Sequence, residues 1–181
     1  MEGGRNVDST VSRFIRYAEC ASESHNEKAF CEYMEQELAG MGIPFERQEL
    51  GSEVVTDGWN ILARIPGRSG KKPFLFVFHL DTAAPSNQVE VCVEGGCIRS
   101  KGSSVLGADG KLAIAVVMEA VERLMQEGEI NRPMELLFTV CQELGLHGAK
   151  YADYSRIESE EAIVIDHYVT GEVLTRTPAR L

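Results

Sequence analysis

The sequence has little of what would tie a protein to nucleic acid or to a membrane. Lysine and arginine number 18 against 28 aspartates and glutamates, a formal net charge of −10. A surface that grips phosphates needs clustered basic residues, which this balance does not supply. No apolar run approaches the roughly 18 residues of a membrane span. The opening residues, Met1-Glu2-Gly3-Gly4-Arg5, lack the basic and apolar regions of a secretion signal. The expected location is the cytoplasm, with neither nucleic acid nor membrane as a partner. Cysteine is scarce in any useful arrangement. Cys20, Cys31, Cys92, Cys97 and Cys141 are odd in number and form no CxxC pair, a poor disulfide framework. Cys92 and Cys97 flank Glu94-Gly95-Gly96 and are expected to face each other across a hairpin, as thiols in a reducing compartment. Internal repeats, low-complexity stretches and linkers are lacking too.

What is present reads as one α/β domain. The 181 residues are 44% hydrophobic and 25% charged, an ordinary globular composition. Val11, Phe14, Ile15 and Ala18 follow helical spacing from Asp8 to about Ala21, with Asp8 or Ser9 as cap. A second helix is expected after Ser24, with Glu27 three residues on as in a capping box. Both helices carry acidic outer faces, which suggests a solvated flank; His25, in the turn between them, reads as a surface residue. Ile43–Glu49 alternates weakly and suits an edge strand, because Pro44 fits an edge better than a centre. Further strands are expected at Asn60–Ile65, Phe74–His79, Val89–Glu94, Met134–Val140 and Ala162–Ile165. Cys97–Arg99 closes a hairpin. A long helix runs from Lys111 to about Gln126 on Ile114, Val117, Met118, Val121 and Leu124, and a short one follows Gly145-Leu146-His147-Gly148. The order predicts a mixed, mostly parallel central sheet flanked by helices.

The run Phe74-Leu75-Phe76-Val77-Phe78-His79 is apolar enough to be buried on both faces. Residues i and i+2 of a strand share a face, so His79 and Asp81 point the same way at its carboxyl end. Open α/β sheets place their ligand sites at that end, and a carboxylate beside an imidazole orients it as metal-binding histidines require. Two other buried strands run into polar residues, at Gln142-Glu143 and at Asp166. Asp109 lies in a glycine-rich loop that opens the long helix. An imidazole with several carboxylates suits zinc, cobalt or manganese.

These residues carry a resemblance. The segments FVFHLDTAAPS, VLGADGKLAIAVVMEAV, LLFTVCQELGLHGAK and AIVIDH resemble, in order and spacing, the metal-site segments of M20-type metallopeptidases, in the peptidase T-like or tripeptidase-like branch. The HxDT and GADGK contexts fit that family better than M42-like aminopeptidases, which share the strand-end ligands. The resemblance implies a zinc-exopeptidase-like fold, two zinc ions (Co2+ or Mn2+ as substitutes), and hydrolysis of short peptides by an activated water held between the ions. By position His79 and Asp166 would bind one metal, Glu143 the other, and Asp109 both. Asp81 would orient His79. The resemblance also implies a cis bond between Asp109 and Gly110, at a cost of about 2.5–4 kcal/mol.

Three departures qualify it. Gln142 stands where the family has a glutamate that acts as general base, and an amide cannot take and return a proton. Gly110 replaces an aspartate that is not a ligand. After Asp166 the family continues into a lid or dimerisation domain and returns with a late histidine ligand, so 1–181 is expected to be the N-terminal part of a catalytic domain without its lid. His147 and His167 are the nearest substitutes, and neither matches the late histidine by position. The unreturned strands would leave a sheet edge open to association or to a homodimer. The alternative reading is an impaired homologue that binds metal or peptide.

Overall fold

Two helices open the chain in the computed structural model, which describes residues 4–166, 169 and 171–175, with side chains from residue 9. The first, α1 (Gly4–Glu19), starts four residues before Asp8 and buries Phe14, Tyr17 and Ala18. The second, α2 (Lys28–Gly40), buries Phe30, Cys31, Met34 and Leu38, one stripe at helical spacing. No capping box forms. Glu27 occupies the cap position with helical backbone angles and makes no side-chain cap bond; its carboxylate is turned inward instead.

The central sheet contains β1 (Phe45–Gln48), β2 (Asn60–Ile65), β3 (Phe74–His79), β6 (Met134–Thr139) and β7 (Glu161–Val164), in the order β1-β2-β6-β3-β7. β2 pairs antiparallel with both β1 and β6, while β3 is parallel to β6 and β7. Four of the five strands therefore point one way. The register brings three carboxyl ends to one level: His79 pairs with Thr139, and Val77 with Val164. Asp166, two residues past Val164, thus arrives beside His79, and the chain leaving β6 arrives beside Asp81.

One sheet face carries the main core, where Ile61, Phe78 and Phe138 meet α1, α2 and α3 (Ala108–Glu127). The other face holds a small cluster of Leu62, Leu75 and Leu137, with Val77 and Ile157 against it. β3 is accordingly less buried than its composition suggests, with Phe74, Phe76 and Val77 only partly covered. β7 is an exposed edge. Among the described residues, no helix is long and apolar enough to cross a membrane.

β4 (Val91–Glu94) and β5 (Cys97–Ser100) form the expected hairpin, but Glu94 pairs with Cys97 and Cys92 with Arg99. Cys92 and Cys97 therefore do not face each other: only Gly95 and Gly96 separate the strands, so the residue opposite Cys97 is its near neighbour Glu94. All five cysteines are free thiols.

Candidate metal centre

β3 delivers His79 at its last position, 3% exposed on its side chain. Asp109 comes from the start of α3, where two residues depart from helical geometry: Asp109 at φ −61°, ψ 129° and Gly110 at φ 71°, ψ −60°. This reversal replaces the expected cis bond. Among the described residues the cis bond is Ala84-Pro85. A glycine can take the positive φ at little cost, so the chain turns without the larger penalty of a cis non-proline bond. Glycine is needed for space as well. A Cβ at 110 would lie 2.7 Å from the His79 carbonyl and 2.9 Å from its ring. The third member, Asp166, follows β7.

The three side chains converge. His79 Nε2 lies 3.3 Å from Asp109 Oδ1 and 3.9 Å from Asp166 Oδ1. One donor atom from each falls within 4.8 Å of the others, with His79 buried and both aspartates exposed. Glu143 stands outside this group. It is exposed, and at 143 the chain has left β6 for a turn, so strand periodicity no longer directs its side chain. Gln142 Nε2 donates to Asp166 Oδ2 at 3.1 Å. His147 begins the four-residue α4 (His147–Lys150) and is not a member of the group. His167 lies outside the described residues.

Asp81 is fully buried behind His79 and gathers donors from three segments. Its Oδ1 lies 3.4 Å from His79 Nδ1 and accepts the Gln142 amide at 2.9 Å. Its Oδ2 accepts the Ser24 hydroxyl at 2.6 Å and the Glu143 amide at 3.1 Å. The imidazole contact is an ion pair; it lacks the alignment of a hydrogen bond. Burial alone would raise the Asp81 carboxyl's pKa, and these donors outweigh it and hold the group below its ordinary value.

The α1–α2 turn is therefore part of the site's support and not a solvated flank. Ser24 holds Asp81, the Thr82 amide donates to the Ser22 carbonyl, and Glu27 accepts from the Cys141 amide. His25 is exposed, as expected. Buried Lys111 adds a tie, its Nζ donating to the Cys20 carbonyl at 2.7 Å beyond the end of α1. Burial pushes the Lys111 pKa down to about 8. Asn60 clamps the loop after β6 from the other side, accepting from the Val140 amide and donating to the Gly148 carbonyl. Sequence reading missed these supports, since serine, asparagine and glutamate near turns look alike whether solvated or turned inward. The spacing of Ser24 and Glu27 suits local backbone bonds, but Ser24 bonds the Asp81 side chain and Glu27 the distant Cys141 amide.

The electrostatics suit a cation. Burial by itself would drive the proton off His79, but Asp81, Asp166 and Asp109 outweigh it and push the pKa up to about 9. Asp166 is raised to about 6 by burial and by Asp109, against the pull of His79. The negative potential that keeps a proton on the imidazole also favours a metal ion displacing that proton. A nitrogen and two carboxylate oxygens form a three-ligand set with room for further ligands, as open zinc sites have. The residues fit a divalent metal. A groove of about 630 Å3 between α1 and α3 lies away from this chemistry, and Arg13 there is engaged by Glu37, Glu119 and Glu122.

Residues 60–170, more than half of the chain, match the model of peptidase family M28. The chain belongs to that family. The matched region contains His79, Asp81, Asp109, Gln142, Glu143 and Asp166. Relatives extend the likeness to both ends. Protein YqjE of Bacillus subtilis is 27% identical over 97% of this chain and 47% of its own length. Peptidase T of Geobacillus kaustophilus is 27% identical over 90% of this chain and 49% of its own. Among solved structures, aminopeptidase PepT from Bacillus cereus superposes with a TM-score of 0.85 at 26% identity, covering 88% of this chain and 43% of that one. The M28-family chain thus spans about half the length of the curated relatives it matches.

Proposed function

We propose that this chain carries the metal-binding part of an M20-type, peptidase T-like metallopeptidase that hydrolyses short peptides in the cytoplasm. The observation that carries the reading is the meeting of His79, Asp109 and Asp166 at one sheet edge, with Asp81 buried behind the histidine. Likeness to peptidase T and to PepT supports the branch. His79, Asp109 and Asp166 would hold zinc, with Asp109 and Glu143 as donors for a second ion. Such ions supply Lewis acidity toward a peptide carbonyl and lower the pKa of water. Asp81 holds the imidazole in place and keeps the Gln142 and Glu143 backbone still. The exposed edge at β7 is where a second copy would associate.

A second reading, an impaired homologue that binds metal or peptide, is favoured by one contact. Gln142 spends its amide N–H on Asp166, and its side chain has no site to accept a proton and give it back. General-base catalysis contributes typically 10²–10⁴-fold, so binding would survive while turnover falls by about that factor. The test is zinc calorimetry together with hydrolysis of a di- and tripeptide panel, on the unaltered chain, His79→Ala and Gln142→Glu. Zinc should bind the unaltered chain and raise its stability, by about 2.7 kcal/mol at a hundred times the dissociation constant. His79→Ala should abolish this. Turnover should rise at least about a hundredfold in Gln142→Glu. Zinc binding indifferent to His79 would end the metal assignment. A zinc-loaded unaltered chain that hydrolyses nothing would decide for the second reading, and a Gln142→Glu variant that also hydrolyses nothing would show that Gln142 is not the cause.

A further inference from the structure

We infer that Glu27 is a positioning residue for the Cys141-Gln142-Glu143 loop, acting on it jointly with Asp81. β6 ends at Thr139, so the amides that follow have no strand ladder to join. Three of them in succession are taken by two buried carboxylates. Asp81 accepts from Gln142 and Glu143, and Glu27 accepts from Cys141 at 3.1 Å. The same Glu27 oxygen meets the Cys141 thiol at 3.1 Å, and its other oxygen accepts the Thr56 hydroxyl at 2.5 Å. Cys141 has φ 52°, a conformation uncommon for a residue with a side chain. Such a conformation persists where its surroundings over-determine it, and here Glu27 and Asp81 do so from two separate elements.

Glu27 is fully buried and closely packed. A Cβ placed at Gly58 would come within 3.0 Å of the Glu27 Cβ and 3.2 Å of Val140. Water is therefore no alternative partner for the Cys141 amide. The arrangement also explains why α2 starts without a side-chain cap: the residue in the cap position is committed to the loop. The start of α2 thereby governs where Gln142 meets Asp166. This purpose rests on the metallopeptidase reading; the hold on the loop does not.

Amide hydrogen exchange on the full chain tests the hold. In Glu27→Ala the amides of residues 141–143 should exchange at least tenfold faster, with β3 and the middle of α2 unchanged. Glu27→Gln should stay within twofold of the unaltered chain, because its oxygen can keep Cys141 while its NH2 turns to the Thr56 oxygen. If Glu27→Ala does not fold, Glu27→Asp, one methylene shorter, should accelerate the same three amides. No acceleration there, or an equal acceleration throughout β6 and α2, overturns the inference. Zinc titration reads the purpose. Affinity should fall at least tenfold in Glu27→Ala or Glu27→Asp and recover in Glu27→Gln, and an unchanged affinity beside a freed loop would overturn the link to the metal centre. Failure of the unaltered chain to bind zinc would instead sink the proposed function, and the exchange data would still decide the hold.

Discussion

Replacing Asp81 by asparagine converts one acceptor oxygen into a donor in a pocket crowded with donors. Oδ1 serves the Gln142 amide and faces His79 Nδ1, while Oδ2 serves the Ser24 hydroxyl and the Glu143 amide. An amide side chain has one oxygen, so its NH2 must confront a backbone N–H in either orientation. The less costly choice keeps the oxygen on Gln142 and turns the NH2 toward Ser24, whose hydroxyl can rotate to accept. The Glu143 amide then loses its partner. A donor left unsatisfied costs about 1–3 kcal/mol, and the surviving bonds lose the strengthening of a charged acceptor. A loss of about 2 kcal/mol lowers the melting temperature of a chain this size by about 4–8 °C. Thermal unfolding followed by circular dichroism, with chelator present, isolates this effect from metal binding. Asp81→Ala, which abandons both amides, should cost more than Asp81→Asn. Zinc calorimetry should show affinity lowered about 10–100-fold, the usual effect of losing a carboxylate behind a ligating histidine. An Asp81→Asn protein that melts within about 1 °C of the unaltered chain would refute the hydrogen-bond accounting.

Gly110→Ala should be costly for two separable reasons, the positive φ and the 2.7 Å approach to the His79 carbonyl. Strain and overpacking together predict about 2–6 kcal/mol lost in urea unfolding, with zinc affinity lowered because His79 must shift; a loss under about 0.5 kcal/mol would mean the contact relaxes freely. Glu135, 1% exposed within β6, accepts the amides of Glu158 and Ser159 and so steadies the approach to β7. Glu135→Ala should cost about 2–6 kcal/mol from two abandoned amides and speed hydrogen exchange in β7 ahead of β2; unchanged exchange there would show that Glu135 does not steady that strand.

Local pattern was enough to identify the elements and most of the site's cast. An apolar run into His79, a second into Gln142-Glu143 and a third into Asp166 state their strand character in a few neighbouring residues each. Helical spacing does the same for α1, α2 and α3. Errors arose where a side chain had a choice of partner. The spacing of Ser24 and Glu27 suits a capping box, yet Ser24 bonds Asp81, 57 residues away, and Glu27 bonds Cys141, 114 residues away. Cys92 and Cys97 stand on either side of the turn in sequence, but Cys92 is three residues before Gly95 and Cys97 one after Gly96, so the hairpin register sets Cys92 opposite Arg99. The resemblance placed a cis bond at Asp109-Gly110, but how the backbone turns there depends on the space His79 leaves.

By itself, then, the sequence determined which residue types stand at which strand ends, because periodicity and apolar runs act over a turn or a strand. Only the tertiary structure decided that β6 lies between β2 and β3, which brings Gln142 to Asp166 and Asp81 beneath both loop amides. It also decided that His79, Asp109 and Asp166 close on one another, with Glu143 outside that group yet near enough for its charge to act on Asp166. Those outcomes depend on long-range register and on which polar groups burial deprives of water. Neither is carried by any single stretch of the chain.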